Sequence, residues 1–388
     1  MMKWRWTTKK WTLLFLTIIF SLLFLPFVGH LMAAPTALQH KIDRVKAQKM
    51  VANEAYYALR KSEDSQQVTR RLENEIIHLE SLLVALEEGN VRGALPHELA
   101  IAKSRLVGIR GTNPTSPKIQ QQEARVAQLQ YFIDHPDKEV IDFDYAEKLP
   151  LLPYLAGIFQ QIPGGLFFLC CGLFMAASFC KPQFAADLAS WEKWPSTSGG
   201  HQRWGATFQR GFGWCLALVG GAFGGVSLLV CLKDGLGDGQ LPLYYHDFAG
   251  QLQVMTLWQY LLRCSISLLL GLLLLAVGAS VLARFTKRLS LHLGVLALLL
   301  LPSLFPELHQ LVNERVAQFL PMSYLDLPKF ILMTNPWQSL LLSWEKGLTL
   351  CLILVAFLVA VGQVVDRRKK SSDVVLTSDQ QMERNHFK

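Results

Sequence analysis

The chain has 388 residues, 51% of them hydrophobic, with a mean hydropathy of +0.26 and a formal net charge of +8 at pH 7. A basic balance of this size raises nucleic acid as a partner, but the Lys and Arg residues flank apolar runs instead of forming one patch, which excludes that class. All seven cysteines (Cys170, Cys171, Cys180, Cys215, Cys231, Cys264 and Cys351) lie within or at the ends of apolar runs, which excludes a disulfide framework and a zinc-ligand spacing.

Crossing a hydrocarbon core of about 30 Å takes about 20 apolar residues in a helix. Six runs qualify, at 11–33, 154–180, 207–232, 257–283, 289–304 and 343–365, the fifth being the shortest. The expected fold class is an all-α membrane protein with six transmembrane helices and an external, coiled-coil-like α-helical domain between spans 1 and 2. Short loops rich in Lys and Arg stay in the cytoplasm. Lys3, Arg5, Lys9 and Lys10 precede the first run; Lys181, Lys193, Arg203 and Arg210 lie between the second and third. Arg284, Lys287 and Arg288 follow the fourth, and Arg367 to Lys370 follow the sixth. All fall inside if segment 1–10 and the tail 366–388 are cytoplasmic. A cleaved signal peptide is the other reading of the N-terminus, since a basic start, an apolar run and Met32-Ala33-Ala34 match that outline. The run is longer than the usual signal core of about 7 to 15 residues, which favours a retained anchor.

Segment 34–150 is polar, and from Pro35 to Pro150 it carries 16 Lys or Arg against 17 Asp or Glu, a balance suited to a solvated helical module. Leu38, Ile42, Val45, Lys49, Ala52, Tyr56 and Leu59 recur at spacings of four and three, and so form one seam of a helix. Leu72, Ile76, Leu79, Leu83 and Leu86 form a second seam. Gly89-Asn90 and Gly93 interrupt it, and shorter helices are expected at His97 to Leu106 and Lys118 to Ile133, on either side of the Gly111 to Pro117 turn cluster. The expected result is an antiparallel hairpin or small bundle.

In segment 181–206, Phe184, Leu188, Trp191 and Trp194 stand three and four residues apart, gathering one apolar stripe with Asp187 and Glu192 elsewhere on the helix. Such a helix lies flat on the inner membrane surface, anchored by its aromatic residues, or docks a cytoplasmic partner. Pro163-Gly164-Gly165 is expected to kink the second span. Gly220, Gly221, Gly224 and Gly225 make a small-residue face at four-residue spacing for close helix packing, within this chain or in a dimer. Segment 233–256 reads as an external loop and 284–288 as a short cytoplasmic one. Segment 305–342, punctuated by Pro321, Pro328 and Pro336, reads as a broken external helix pair lining an exit.

There is no G-x-x-x-x-G-K-[ST] loop, so the chain does not bind ATP in the usual way, and no cofactor or metal is expected in it. H-E-x-x-H and G-x-S-x-G are absent too, and the chain is not expected to be an enzyme. Charged groups inside spans point to function by default; here only Arg263 and a few histidines such as His30 and His292 qualify. Arg263 lies near the external end of its span, where it snorkels. Proton or sodium coupling is therefore disfavoured, and energy must come from elsewhere.

The order of parts resembles the type-2 ABC transporter permeases of bacteria, over the whole chain as an architecture. The local stretches most similar to that family are Phe184 to Pro195, at the position of its coupling helix, and Phe319-Leu320-Pro321-Met322-Ser323-Tyr324-Leu325, in its external hairpin before the last span. The segment Ser196-Thr197-Ser198 lacks the arginine often found there in the family. The resemblance implies a multi-pass permease of the bacterial plasma membrane, pairing with a second copy or a homologous permease. It implies a separate cytoplasmic ABC ATPase, which binds the ATP and docks on Phe184, Asp187, Leu188, Trp191 and Trp194. Phe319, Pro321 and Tyr324 would then stand at the external gate. Family members export peptides such as bacteriocins, antibiotics, polysaccharides or ions. The alternative is a membrane scaffold or sensor whose external domain binds an envelope partner.

Overall fold

A computed structural model describes residues 8–60, 66–113, 118–138, 140, 149–161, 164–180, 200–247, 251–286, 291–292, 294–296, 314–324, 331–332 and 343–386. The described chain is mostly helical. In order it forms α1 (Thr8–Leu59), α2 (Gln66–Glu87), α3 (Val91–Thr112), α4 (Lys118–Asp134), α5 (Leu151–Gln161), α6 (Gly164–Cys180) and α7 (Gly200–Asp234). Strands β1 (Pro242–His246) and β2 (Leu252–Thr256) follow, then α8 (Leu257–Phe285), the single turn α9 (Glu314–Ala317), a 3-10 turn at Pro321–Tyr324, and α10 (Trp344–His386).

Among the described residues, three helices are long and apolar enough to cross a membrane: Gly211–Asp234 within α7, Leu257–Phe285, and Trp344–Val365 within α10. They correspond to the third, fourth and sixth apolar runs. The second run is a shorter apolar helix preceded by another, because α5 ends at Gln161 and α6 starts at Gly164. The kink expected at Pro163 lies outside the described residues. Most of the fifth run, 289–304, lies outside the described residues.

No boundary falls between the first run and the polar domain. α1 is 52 residues long, about 78 Å at 1.5 Å per residue, and passes through Pro26 and Pro35 without a break. Its first half joins the apolar bundle, where Phe15 stacks on Phe174 with ring centroids 4.4 Å apart and Ile19 is fully buried. Its second half is the first of four antiparallel helices. Ile42, Val45 and Ala52 meet Leu79, Leu82, Leu83 and Leu86 of α2 and Ala94 and Ile101 of α3, so both seams pack on each other. Gly89, with φ of +70°, turns the chain after α2, and the Asn90 side chain accepts the Gly93 N–H to cap α3. Gly93 lies inside that helix and does not interrupt it, since the cap already terminates the preceding seam.

Ion pairs order the layer. From α3, Glu98 reaches Lys41 of α1 at 2.5 Å and Arg125 of α4 at 3.0 Å, and its side chain is only 11% exposed. Lys49, in the apolar seam of α1, turns outward to Glu80 at 2.7 Å. Breaking a nearly buried pair leaves a charge without its partner and costs about 3 kcal/mol. Glu98→Ala is therefore expected to lower the thermal unfolding midpoint in detergent by several degrees and Glu98→Gln by less, whereas Glu80→Ala, at an exposed pair, shifts it little.

Candidate functional site

Segment 233–256 is not a plain loop. Its first part, 235–241, is a turn whose backbone carbonyls supply the missing partners of two helix starts. The N–H groups of Leu151 and Leu152 donate to the carbonyls of Gly235 and Leu236, at 3.0 and 3.1 Å. Those of Leu257 and Trp258 donate to Leu241 and Gly239, at 2.9 and 3.1 Å. The first N–H groups of a helix have no partner within it, so this turn, which begins where α7 ends, fixes the tops of α5 and α8 against each other. Gly237 has φ of +82°, and a Cβ there would come within 2.7 Å of Pro150. Gly239 lies under the indole of Trp258 with no room for a side chain.

The remainder is a β-hairpin, with Leu243 paired to Met255 and His246 to Leu252. Leu243 and Met255 point inward and meet Leu129 and Phe132 of α4, Leu152 of α5 and Tyr260 of α8 in one core. The hairpin is thus the part through which the polar helical layer rests on the apolar bundle. Polar contacts fix the same seam. Glu123 of α4 accepts from His246 Nε2 at 2.7 Å and pairs with Arg110 of α3. Lys138 pairs with Asp238 at 2.7 Å, and the Asp238 carboxylate also accepts the Gln240 N–H at 2.8 Å. Burial works against ionisation of Glu123, but the hydrogen bonds and charges of Arg110 and His246 outweigh it and hold the carboxyl below the ordinary range. Asp238 is held down by its bond to Lys138, then by the Gln240 N–H.

Below this seam a cavity of about 470 Å³ opens between α5, α7 and α8. Ligand pockets commonly measure about 300 to 1,000 Å³. Leu155 and Phe159 wall it on α5, Val219 and Phe223 on α7, Leu261 and Leu268 on α8. Two serines line it, and the Ser265 hydroxyl is turned back on the Leu261 carbonyl at 2.8 Å. The wall is hydrocarbon, with the Trp258 indole at its end nearest the turn.

Gly220 and Gly224 face this cavity. A Cβ built on any of Gly220, Gly221, Gly224 or Gly225 meets no described atom within 4 Å, so among the described residues these glycines do not serve close helix packing. The expected docking residues Phe184, Asp187, Leu188, Trp191 and Trp194 lie outside the described residues. At the proposed gate, Phe319 is exposed, Pro321 opens the 3-10 turn, and Tyr324 is buried against Trp344 and Leu350 of α10 with its hydroxyl donating to the Gln318 carbonyl at 2.8 Å. Tyr324 is therefore a packing residue here, separate from the cavity. Arg263 does not simply snorkel: its guanidinium stands 5.1 Å over the Trp344 ring, and Trp344 Nε1 donates to Ser267 at 2.8 Å, joining α8 to α10.

The turn and the hairpin carry the site's geometry, and neither is among the elements expected from the sequence. Their signals were present in Gly235, Gly237 and Gly239 at alternate positions, and in the β-formers Tyr244, Tyr245, Val254 and Thr256. No family model, curated protein or solved structure matches this chain.

Gly237→Ala is expected to cost at least about 1 to 2 kcal/mol from the left-handed backbone alone, read as a lowered unfolding midpoint. Glu123 and Asp238 both have folded pKa values below their unfolded ones, so their stabilisation is complete above about pH 5 to 6 and is lost as pH falls through the folded values. Unfolding midpoints measured on descending from about pH 6 to pH 3 should fall, and Asp238→Asn should flatten part of that fall.

Proposed function

We propose that the chain is the membrane-spanning permease subunit of an ATP-driven ABC exporter. In this reading it crosses the bacterial plasma membrane six times with both termini in the cytoplasm and the four-helix layer outside. A separate ATPase docks on Phe184 to Trp194 and supplies the energy. The observation that carries the reading is the apolar cavity between α5, α7 and α8. Two of its walls are helices apolar enough to cross a membrane, and the α7 wall includes Gly220 and Gly224, where a Cβ would meet no described atom within 4 Å. A second copy or a homologous permease brings the missing wall, and the space between the halves becomes the route. A hydrocarbon lining suits an amphipathic cargo such as a peptide or antibiotic.

The helical layer seated on the hairpin also fits the scaffold reading, in which that layer captures an envelope partner and the apolar helices anchor it. A scaffold has no need of the cavity or the open glycine face, which is why export is preferred.

The two readings separate on the ATPase. Pull-down of the intact chain from detergent extracts is expected to bring an ABC ATPase with the wild type, less with Trp191→Ala and none with Asp187→Arg. An ATPase that co-purifies equally with all three forms removes the docking assignment, and its absence from the wild type removes the exporter. Gly224→Ala, with open space around its Cβ, is expected to preserve the ATPase activity of the complex, while Gly224→Leu fills the cavity and lowers that activity several-fold.

A further inference from the structure

Two histidines on adjacent helices of the polar layer face each other. His78 of α2 and His97 of α3 stand with their Nδ1 atoms 3.4 Å apart and their rings at 43°, centroids 5.7 Å apart. They lie on opposite sides of the Gly89-Asn90 turn, each half-buried, with His78 next to the buried Leu79 of the α1–α2–α3 core. The separation fits two arrangements. At 3.4 Å the two nitrogens are at the long end of hydrogen-bond reach, with the donor set by the tautomer. Two imidazole nitrogens each bound to one tetrahedral metal ion at about 2.0 to 2.1 Å are about 3.3 to 3.4 Å apart. The pair therefore already holds the spacing that two ligands of such an ion require.

The backbone on either side is restrained: Arg105 of α3 binds Glu75 of α2 at 2.9 Å, about a turn from His78, and the Asn90 cap closes the other end. The two imidazoles are thus presented by helices already fixed relative to each other.

We propose that His78 and His97 form a binding site for a tetrahedrally coordinated divalent metal ion of the imidazole-seeking class, Zn2+ above all. Among the described residues no third His, Cys, Asp or Glu joins them, so the protein gives two ligands and water completes the shell. The bound ion clips α2 to α3 and stiffens the hairpin that ends at Gly89. It also leaves coordination positions open to a donor from outside the chain.

The test uses the full chain in detergent, purified with chelator, with Cu2+ and Zn2+ as probes. One Cu2+ per chain is expected, with nitrogen hyperfine structure from two imidazoles in the paramagnetic resonance spectrum. Zn2+ added alone should raise the unfolding midpoint, and Cu2+ should displace it. His97→Ala and His78→Ala are each expected to weaken binding at least tenfold and to abolish the Zn2+-dependent rise, and His97→Asn serves as the variant closest in shape. Circular dichroism without metal confirms that each variant folds. Copper bound with equal stoichiometry and spectrum in the single variants overturns the site, as does a wild type that binds no stoichiometric metal. The ATPase pull-down is independent of this result, because His78 and His97 are remote in sequence from 184–194.

Discussion

The turn at 235–241 is the contact on which the rest of the molecule depends. A helix that starts inside a packed structure exposes N–H groups that must find acceptors, and two of the helices around the cavity start at the same level. The carbonyls of Gly235, Leu236, Gly239 and Leu241 satisfy both, so the chain leaving α7 sets the positions of α5 and α8 together. The same turn presents Asp238 to Lys138, and Arg92 of α3 donates to the Lys138 carbonyl. One short segment thereby determines the cavity below it and the seating of the helical layer above it. It works only because Gly237 accepts a left-handed backbone and Gly239 admits an indole ring at its surface.

The apolar helices are held at their ends by polar contacts and along their length by shape. α8 is capped at Thr256, whose hydroxyl accepts the Gln259 N–H while the Gln259 side chain accepts the Thr256 N–H. One end of the α8–α10 pair is closed by Arg263 over Trp344, and the other by Arg284 donating to the Gly362 carbonyl. Between them, in a lipid-like setting, hydrophobic transfer contributes little to helix association and close packing contributes most. Where packing is withheld, as along Gly220 and Gly224, a cavity results. That gap is the feature a permease half would need, and it is the physical reason for preferring transport to anchoring.

The long helix α1 couples the two parts differently from the turn. It carries Phe15 and Ile19 in the apolar bundle and Ile42 and Val45 in the polar layer within one uninterrupted element. The layer is therefore joined to the bundle by one continuous helix on one side and by the hairpin seam on the other. The ion pairs around Glu98 and Glu123 lie on α3 and α4, between these two connections, and keep the layer a single body.

Much of this was legible in the residues alone. Apolar length marked the helices beginning at Gly211, Leu257 and Trp344, because hydropathy over about 20 residues is a one-dimensional property. The seams of α1 and α2 were readable for the same reason: their periodicity is local, and the leucines that recur are those that become buried. The hairpin was not legible, because two five-residue strands between apolar helices have a weak local signal and gain their stability from α4, α5 and α8. The roles of Gly220 and Gly224 and the meeting of His78 with His97 depend on which helix stands opposite, a distance no spacing rule contains. Sequence determined which segments are apolar, which are polar and where helices form; tertiary structure decided which carbonyls cap which helices, where space is left between them, and which side chains meet across it.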